Sequence, residues 1–301
     1  MIINLLPDNK RLHLQHGPID LVIEAFGSQE EITKAYRCAA ERFHTILDEL
    51  VGELPLLRTQ IKPDTSRPVG TIAKTMYATA KAHAAEFITP MIAVAGAVAD
   101  EVLSSMCQGA VLDKAYVNNG GDIALYLKPE ADETFRTGIV SDPRTAEMLS
   151  TATINPAMGI AGIATSGRHG RSLSLGIADS VTVFAANAAT ADAAATIIAN
   201  KIDLPDNPKV TRQPASQLSP DSDLGELLVT IDVAQLSPQE KATALEAGRE
   251  RAQQLCRAGV IEAAFLSLQG KVRIIDWAID APAVFAPHSN LSTIENRIAH
   301  A

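Results

Sequence analysis

Apolar and polar residues alternate along Leu12-His13-Leu14-Gln15 and again from Ile19 to Ala25, on either side of His16-Gly17-Pro18. A period of two sends successive side chains to opposite faces, which predicts a strand, a turn and a second strand. The period then changes. Ser28 followed three residues later by Glu31 is the start signal of a helix. Its apolar stripe recurs every three to four positions at Ile32, Ala35, Tyr36, Ala39, Phe43, Ile46, Leu47 and Leu50, so these are expected core residues. Two more helices are predicted at 69–87 and 91–106, broken at Thr89-Pro90 because proline disfavours helix in the residue before it.

Strand-like segments follow at 114–118, 122–127, 134–140, 160–165 and 180–186, and a small-residue helix at about 190–201. Residues 203–225 mix prolines with Asp, Asn and Ser and show no hydrophobic period, which predicts a surface loop or internal linker. Beyond a strand at 227–233, Ser237-Pro238-Gln239-Glu240 opens a long charged helix with proline in its first position. A closing hairpin is expected to pair 260–268 with 271–277 across Gln269-Gly270.

Composition narrows the classes. The chain has 301 residues, enough for one large domain or two intimately packed halves. With 47% hydrophobic and 20% charged residues it suits a globular protein with a sizeable core. Aromatics make up only 4%, so the core is built of small side chains that let elements approach closely. The net charge of −9 argues against nucleic acid or an anionic membrane as the main partner, since both need Lys and Arg. A local basic cluster can still hold a small phosphate- or carboxylate-bearing ligand. Cys38, Cys107 and Cys256 form no Cys-x-x-Cys pair and are expected as reduced thiols. The N-terminus lacks the pattern of a signal peptide, and the longest apolar run, 88–99, falls short of the roughly 20 residues that span a bilayer. A cytoplasmic protein is expected, and a homodimer on general grounds.

The chain has no Gly-x-x-x-x-Gly-Lys-Ser/Thr loop, no His-Glu-x-x-His and no Gly-x-Ser-x-Gly elbow. Three segments offer other chemistry. In Asn118-Asn119-Gly120-Gly121-Asp122, two glycines permit positive φ and leave backbone amides open to an anion; the same residues also fit an ordinary hairpin turn. In Thr165-Ser166-Gly167-Arg168-His169-Gly170-Arg171-Ser172, hydroxyls, glycines and two arginines suit a phosphate or carboxylate, or else form a solvated basic loop. His169 and Arg171 are the catalytic candidates here, and an acid or base at His169 has to face the Gly-Gly-Asp turn. In the third segment, Asp179 precedes a valine-rich strand, and Asp192 and Thr196 then lie one helical turn apart on one face. A carboxylate and a hydroxyl so placed can share a hard cation such as Mg²⁺.

In this order the segments resemble the ApbE superfamily, named for FAD:protein FMN transferases, over roughly residues 85 to 200. The matching motifs are the Asn-x-Gly-Gly-Asp turn at Asn118–Asp122, the Thr-Ser-Gly strand end at Thr165–Gly167, the strand Val181–Phe184 and the helix Ala191–Thr196. The segment from Thr89 to Asp100 stands where the transferases have a Gly-Ile-Ala-Lys-Gly helix start. The opening hairpin resembles a shorter cytoplasmic branch of that superfamily. The resemblance implies an α+β fold of mixed or antiparallel sheets packed against helices. It implies Mg²⁺ on Asp192 and Thr196, with a backbone carbonyl near Val94 as a further ligand. It also implies an FAD or FMN pocket lined by Thr89, Met91, Asn118, Asn119, Gly120, Gly121, Asp122, Thr165, Ser166, Gly167 and Asp179. Two departures are visible: Arg168 to Ala178 replaces the transferases' His-Ile-Ile-Asp-Pro-x-Thr-Gly segment, and Ala95 stands where they carry lysine. Flavin transfer, non-catalytic binding of a small anionic metabolite, and another reaction on the same scaffold therefore all remain open.

Overall fold

The alternating N-terminal segments form a meander of β1 (Ile2–Leu5), β2 (Leu12–His16) and β3 (Ile19–Phe26). This is seen in a computed structural model, described over residues 1–130, 132–140, 148–276 and 285–287. Helix α1 (Gln29–Gly52) starts at Ser28, whose hydroxyl accepts from the Glu31 amide at 3.4 Å. The Glu31 carboxylate does not close the reciprocal bond; it accepts from the Val111 amide at 2.7 Å and pairs with Lys34. The short α2 (Leu54–Leu57) and α3 (Thr71–Lys81) follow. The helix expected over 69–87 stops early because its last residues tighten into successive turns, with His83 donating to Ala80 and Glu86 to His83.

The Thr89-Pro90 break is present. Thr89 caps a 3₁₀ turn, Pro90–Ala93, that leads into α4 (Val94–Gly109). The hairpin β4 (Lys114–Asn119) and β5 (Asp122–Leu127) comes next, then β6 (Phe135–Val140) and β7 (Met148–Ile154), then β8 (Gly162–Ser166) and β9 (Ser180–Ala185). Helix α5 (Ala188–Lys201) leaves β9. Residues 203–225, expected to be loop or linker, contain β10 (Val210–Pro214) and α6 (Ala215–Leu218). β10 pairs with β11 (Leu228–Val233), so polar and proline-rich sequence here conceals a small edge sheet whose pairing lies outside the segment. Helix α7 (Pro238–Arg257) has the full capping box of Ser237 and Glu240. The chain continues through β12 (Ala263–Leu268) and β13 (Lys271–Asp276) to β14 (Phe285–Pro287). Trp277, expected to end the hairpin, lies outside the described residues.

One nine-stranded sheet runs β1-β2-β3-β4-β5-β8-β9-β12-β13. Every neighbouring pair in it is antiparallel. The same pattern occurs twice: a hairpin, two long helices and a second hairpin, first β2-β3-α1-α4-β4-β5 and then β8-β9-α5-α7-β12-β13. Joining the halves through β5 and β8 places α4 beside α5 at the centre. The fold is thus α+β with antiparallel sheets packed against helices.

Alternation along the central strands sorts the core into layers. Val181, Val183, Ala264 and Leu266 face the helices, while Phe184 and Phe265 face the other way into a cluster with Leu125, Ile139 and Ile154. The sheet β14-β7-β6 supplies part of that second layer. This covering explains why β9 and β12 are buried on both faces and show no polar alternation. Among the described residues one helical run, Pro90–Gly109, is long and apolar enough to cross a membrane by length and composition, and half of it is buried within the fold.

Candidate functional site

The N-termini of α4 and α5 meet where the two halves join. Their approach is close: a Cβ on Gly96 would fall 2.2 Å from the Ala188 carbonyl oxygen. Each helix lacks a side-chain bond from its own cap at some of its first amides, and each takes a carboxylate from its neighbour. Asp100 of α4 accepts from the Ala188 and Ala189 amides, both at 2.9 Å. Asp192 of α5 accepts from the Gly96 amide at 3.0 Å, and the Ala95 amide adds to its stabilisation. Anions are favoured at helix N-termini, where unsatisfied N–H groups point outward.

Beside this crossing lies a cleft of about 850 Å³. Its polar floor collects residues from distant parts of the chain: the β4-β5 turn, the loop after β8, and Asp192 and Thr196 on α5. The turn is formed as expected, with Gly120 at φ +66° and Gly121 at φ +115°, and Asn118 Oδ1 accepts from the Gly121 amide at 2.8 Å. Asn119 Nδ2 donates to the Ala95 carbonyl at 3.1 Å, which ties the turn to α4. Gly167 is needed at the other side: it has φ +149°, and a Cβ there would sit 2.5 Å from the Asp179 carbonyl oxygen.

The electrostatics are those of two carboxylates confined together. Burial raises Asp122 to about 7, against the stabilising Thr165 amide and the nearby Arg171 charge. Burial also raises Asp192 well above the carboxylate range, and the charge on Asp122 pushes it further in the same direction. Thr196 donates to Ser166 Oγ at 3.2 Å, and Thr165 and Thr182 share a hydroxyl contact of 2.9 Å. No group of three or more His, Cys, Asp or Glu side chains able to hold a metal occurs among the described residues. A cation between Asp122 and Asp192 would therefore need hydroxyl, backbone or ligand oxygens to complete its shell. That is the habit of Mg²⁺, and the donor set fits it.

Most of the residues expected from sequence line this cleft: Met91, Asn119, Gly120, Gly121, Asp122, Thr165, Ser166, Gly167, His169, Arg171, Asp179, Asp192 and Thr196. Two do not. Thr89 is buried and hydrogen-bonded to Asp223, so its hydroxyl serves the 3₁₀ turn and a contact with the 203–225 segment. Asn118 spends its side-chain oxygen on the turn. Asp179 borders the cleft, but its carboxylate is committed to its own loop: Arg168 donates to it at 2.7 and 3.0 Å, and the Gln269 amide donates as well. His169 does not point to solvent; it is buried with Nε2 3.4 Å from Asp179. Arg171 lies over the turn, with Nη2 3.0 Å from where a Gly120 Cβ would be. The stretch Asp142-Pro143-Arg144-Thr145 lies outside the described residues.

Sequence reasoning missed the apolar half of the cleft. Pro18, Leu47, Leu50, Leu54 and Val98 line it together with Arg58. Leu47 and Leu50 were legible only as core, and nothing around Arg58 marks it. Asp100 did leave a signal, because Ala97-Val98-Ala99-Asp100 and Ala189-Thr190-Ala191-Asp192 repeat the same small-residue spacing.

These features define an antiparallel α+β protein with an acidic, glycine-walled cleft at the junction of two similar halves. The family model described as "AbpE bacteria" matches residues 3–274, and the chain belongs to that family. It is 34% identical over 181 residues to a UPF0280 protein of Methanothrix thermoacetophila, covering 58% of this chain and 71% of the relative. To a UPF0280 protein of Methanopyrus kandleri it is 35% identical over 217 residues, covering 70% and 83%. Among solved structures, the flavin transferase ApbE from Vibrio cholerae aligns with a TM-score of 0.39 at 13% identity, covering 89% of this chain and 97% of that one.

Proposed function

We propose that this cleft binds a flavin or a related phosphate-bearing nucleotide together with Mg²⁺, in a cytoplasmic protein of flavin-transferase type. The observation that carries the reading is the meeting of Asp122 and Asp192, with Thr196 beside them, under a glycine turn overlain by Arg171. Two half-buried carboxylates, with the charge on Asp122 raising the proton affinity of Asp192, are poorly matched to an apolar floor and well matched to a divalent ion. The cleft volume of about 850 Å³ lies in the range of small-molecule sites, about 300–1,000 Å³. The motif resemblance to the ApbE superfamily supports the same ligand class.

Bound there, Mg²⁺ would neutralise phosphate charge and ease cleavage of a pyrophosphate. The chain's own residues would do the rest. Gly120 and Gly121 leave room for phosphate oxygens to approach the backbone. Arg171 would hold the anion from above, and aliphatic side chains of the apolar half would exclude water from the remainder of the ligand. His169, held by Asp179, is the candidate for proton transfer.

A second reading, binding without transfer, is favoured by Ala95 in place of the transferases' lysine and by Arg168 to Ala178 standing in place of their His-Ile-Ile-Asp-Pro-x-Thr-Gly segment. One experiment separates the two. Full-length protein is titrated with FAD by calorimetry with and without Mg²⁺, and AMP release is then followed with a candidate acceptor protein. Mg²⁺-dependent FAD binding with AMP release supports the transferase. Binding without release supports the second reading, and no binding in either condition removes both.

A further inference from the structure

Several arginines of this protein are matched to acids. Arg42 pairs with Glu49 and Glu101 at 2.8 and 2.7 Å, Arg168 with Asp179 at 2.7 Å, and Arg251 with Glu86 at 3.2 Å. The two arginines that line the cleft, Arg58 and Arg171, form no ion pair among the described residues. Arg171 at least lies near Asp122, whose ionised form it favours. For Arg58 no acidic partner is found among the described residues. This arginine caps the C-terminal end of α2, half-buried, and shares its wall of the cleft with Val51, Leu54 and Leu57.

A guanidinium held beside aliphatic side chains gives up part of its hydration, and it is favourably placed only when an anion meets it. Solvent does this for a surface arginine. In a cleft wall the natural occupant is a group on the ligand. Arg58 comes from the α1–α2 corner, whereas Asp122, Asp192 and Arg171 come from the β4-β5 turn, α5 and the loop after β8. The same cleft is also lined by aliphatic residues such as Leu47, Leu50, Met91 and Val94.

We infer that Arg58 is a second anion-binding point of the cleft, and that its ligand carries two anionic groups separated by an apolar middle. One anionic group belongs at the Asp122–Asp192–Arg171 end, and the other, a phosphate or a carboxylate, belongs on Arg58. This rests on the cleft being the ligand site proposed above. It adds the recognition of the ligand's far end, which no residue of the matched motifs supplies.

The test uses the full chain with Mg²⁺ and three probe series by calorimetry: alkyl monophosphates, α,ω-alkane bisphosphates, and alkyl phosphates ending in a carboxylate, each with four to ten carbons. At the best chain length the wild type is expected to bind a doubly anionic probe at least about tenfold tighter than the matching monophosphate, as for one added charge-assisted contact. Whichever doubly anionic series gives the larger preference identifies the far group. In Arg58→Met the preference disappears while monophosphate affinity stays within about twofold, and Arg58→Lys keeps part of it. Because each comparison is made within one protein, a loss of folding cannot imitate the result. Equal affinities in the wild type at every length, or a preference that survives in Arg58→Met, would overturn the assignment with the cleft reading intact. If no probe binds wild type with or without Mg²⁺, this inference falls, and the FAD titration described above decides separately whether the cleft reading stands.

Discussion

Asp100 and Asp192 hold each other's helices: the carboxylate of each accepts hydrogen bonds from the first amides of the helix that carries the other. The exchange is possible because Gly96 lets α4 approach Ala188 at backbone contact. It gives Asp192 two duties, since its carboxylate accepts from the Gly96 amide and the residue also lines the cleft. Asp100 has no face in the cleft, yet it sets where α5 begins. The candidate site is therefore built where these two helices anchor each other.

Replacing Asp192 separates these duties. Asp192→Ala should abolish the Mg²⁺ dependence of ligand binding. Loss of the α4 cap costs about 1 kcal/mol, and relief of the repulsion with Asp122 offsets part of it, so the melting temperature should change little. Calorimetric titration with Mg²⁺ checks the first expectation and a thermal melt the second. An unchanged Mg²⁺ isotherm would remove the metal assignment.

The acidic pair also sets a pH dependence. Asp122 is raised from 3.8 to about 7 by burial, so its contribution to stability is fully present below the unfolded value and is lost as pH rises toward the folded one. Between pH 5.5 and 8, without divalent ions, the wild type should lose about 1–2 kcal/mol relative to Asp122→Asn. Asp8 and Glu240, both lowered to about 2 by hydrogen bonds, act in the opposite direction but titrate below this window. Urea melts of both proteins at the two pH values give the difference, and Mg²⁺ should restore the wild type at pH 8.

Two glycines should respond unequally to alanine. At Gly96 the new methyl meets the Ala188 carbonyl at 2.2 Å, a backbone atom that cannot turn aside, so Gly96→Ala should cost about 1–3 kcal/mol or more and displace Asp192. At Gly121 no heavy atom lies within 4 Å, and only the positive φ opposes a side chain, at about 1–2 kcal/mol. Chemical denaturation should rank Gly96→Ala as the more damaging change. The reverse order would mean that the helices can separate without loss.

Thr89 tests the boundary of the site. Its hydroxyl caps the 3₁₀ turn and bonds Asp223, away from the cleft lining. Thr89→Val should lower stability by about 1 kcal/mol and leave ligand affinity within about twofold. A tenfold loss of affinity at normal stability would return Thr89 to the pocket.

What the sequence determined by itself was local. Period-two alternation located the hairpins, the stripe from Ile32 to Leu50 located α1, and Ser237 with Glu240 located the start of α7, because each signal is carried by neighbours a few residues apart. Glycine at 120 and 121 likewise announced a turn with positive φ, a property of single residues. Tertiary structure decided what no neighbour encodes. The pairing of β5 with β8 brings Asp122 to Asp192, the crossing at Gly96 joins Asp192 to α4, and the α1–α2 corner carries Arg58 to the cleft. It also gave the Thr89 hydroxyl and the Asp179 carboxylate partners within the chain, Asp223 for the first and Arg168 and Gln269 for the second. Hydrogen bonds and charges act over a few ångströms of space, and only the folded chain fixes which residues share that distance.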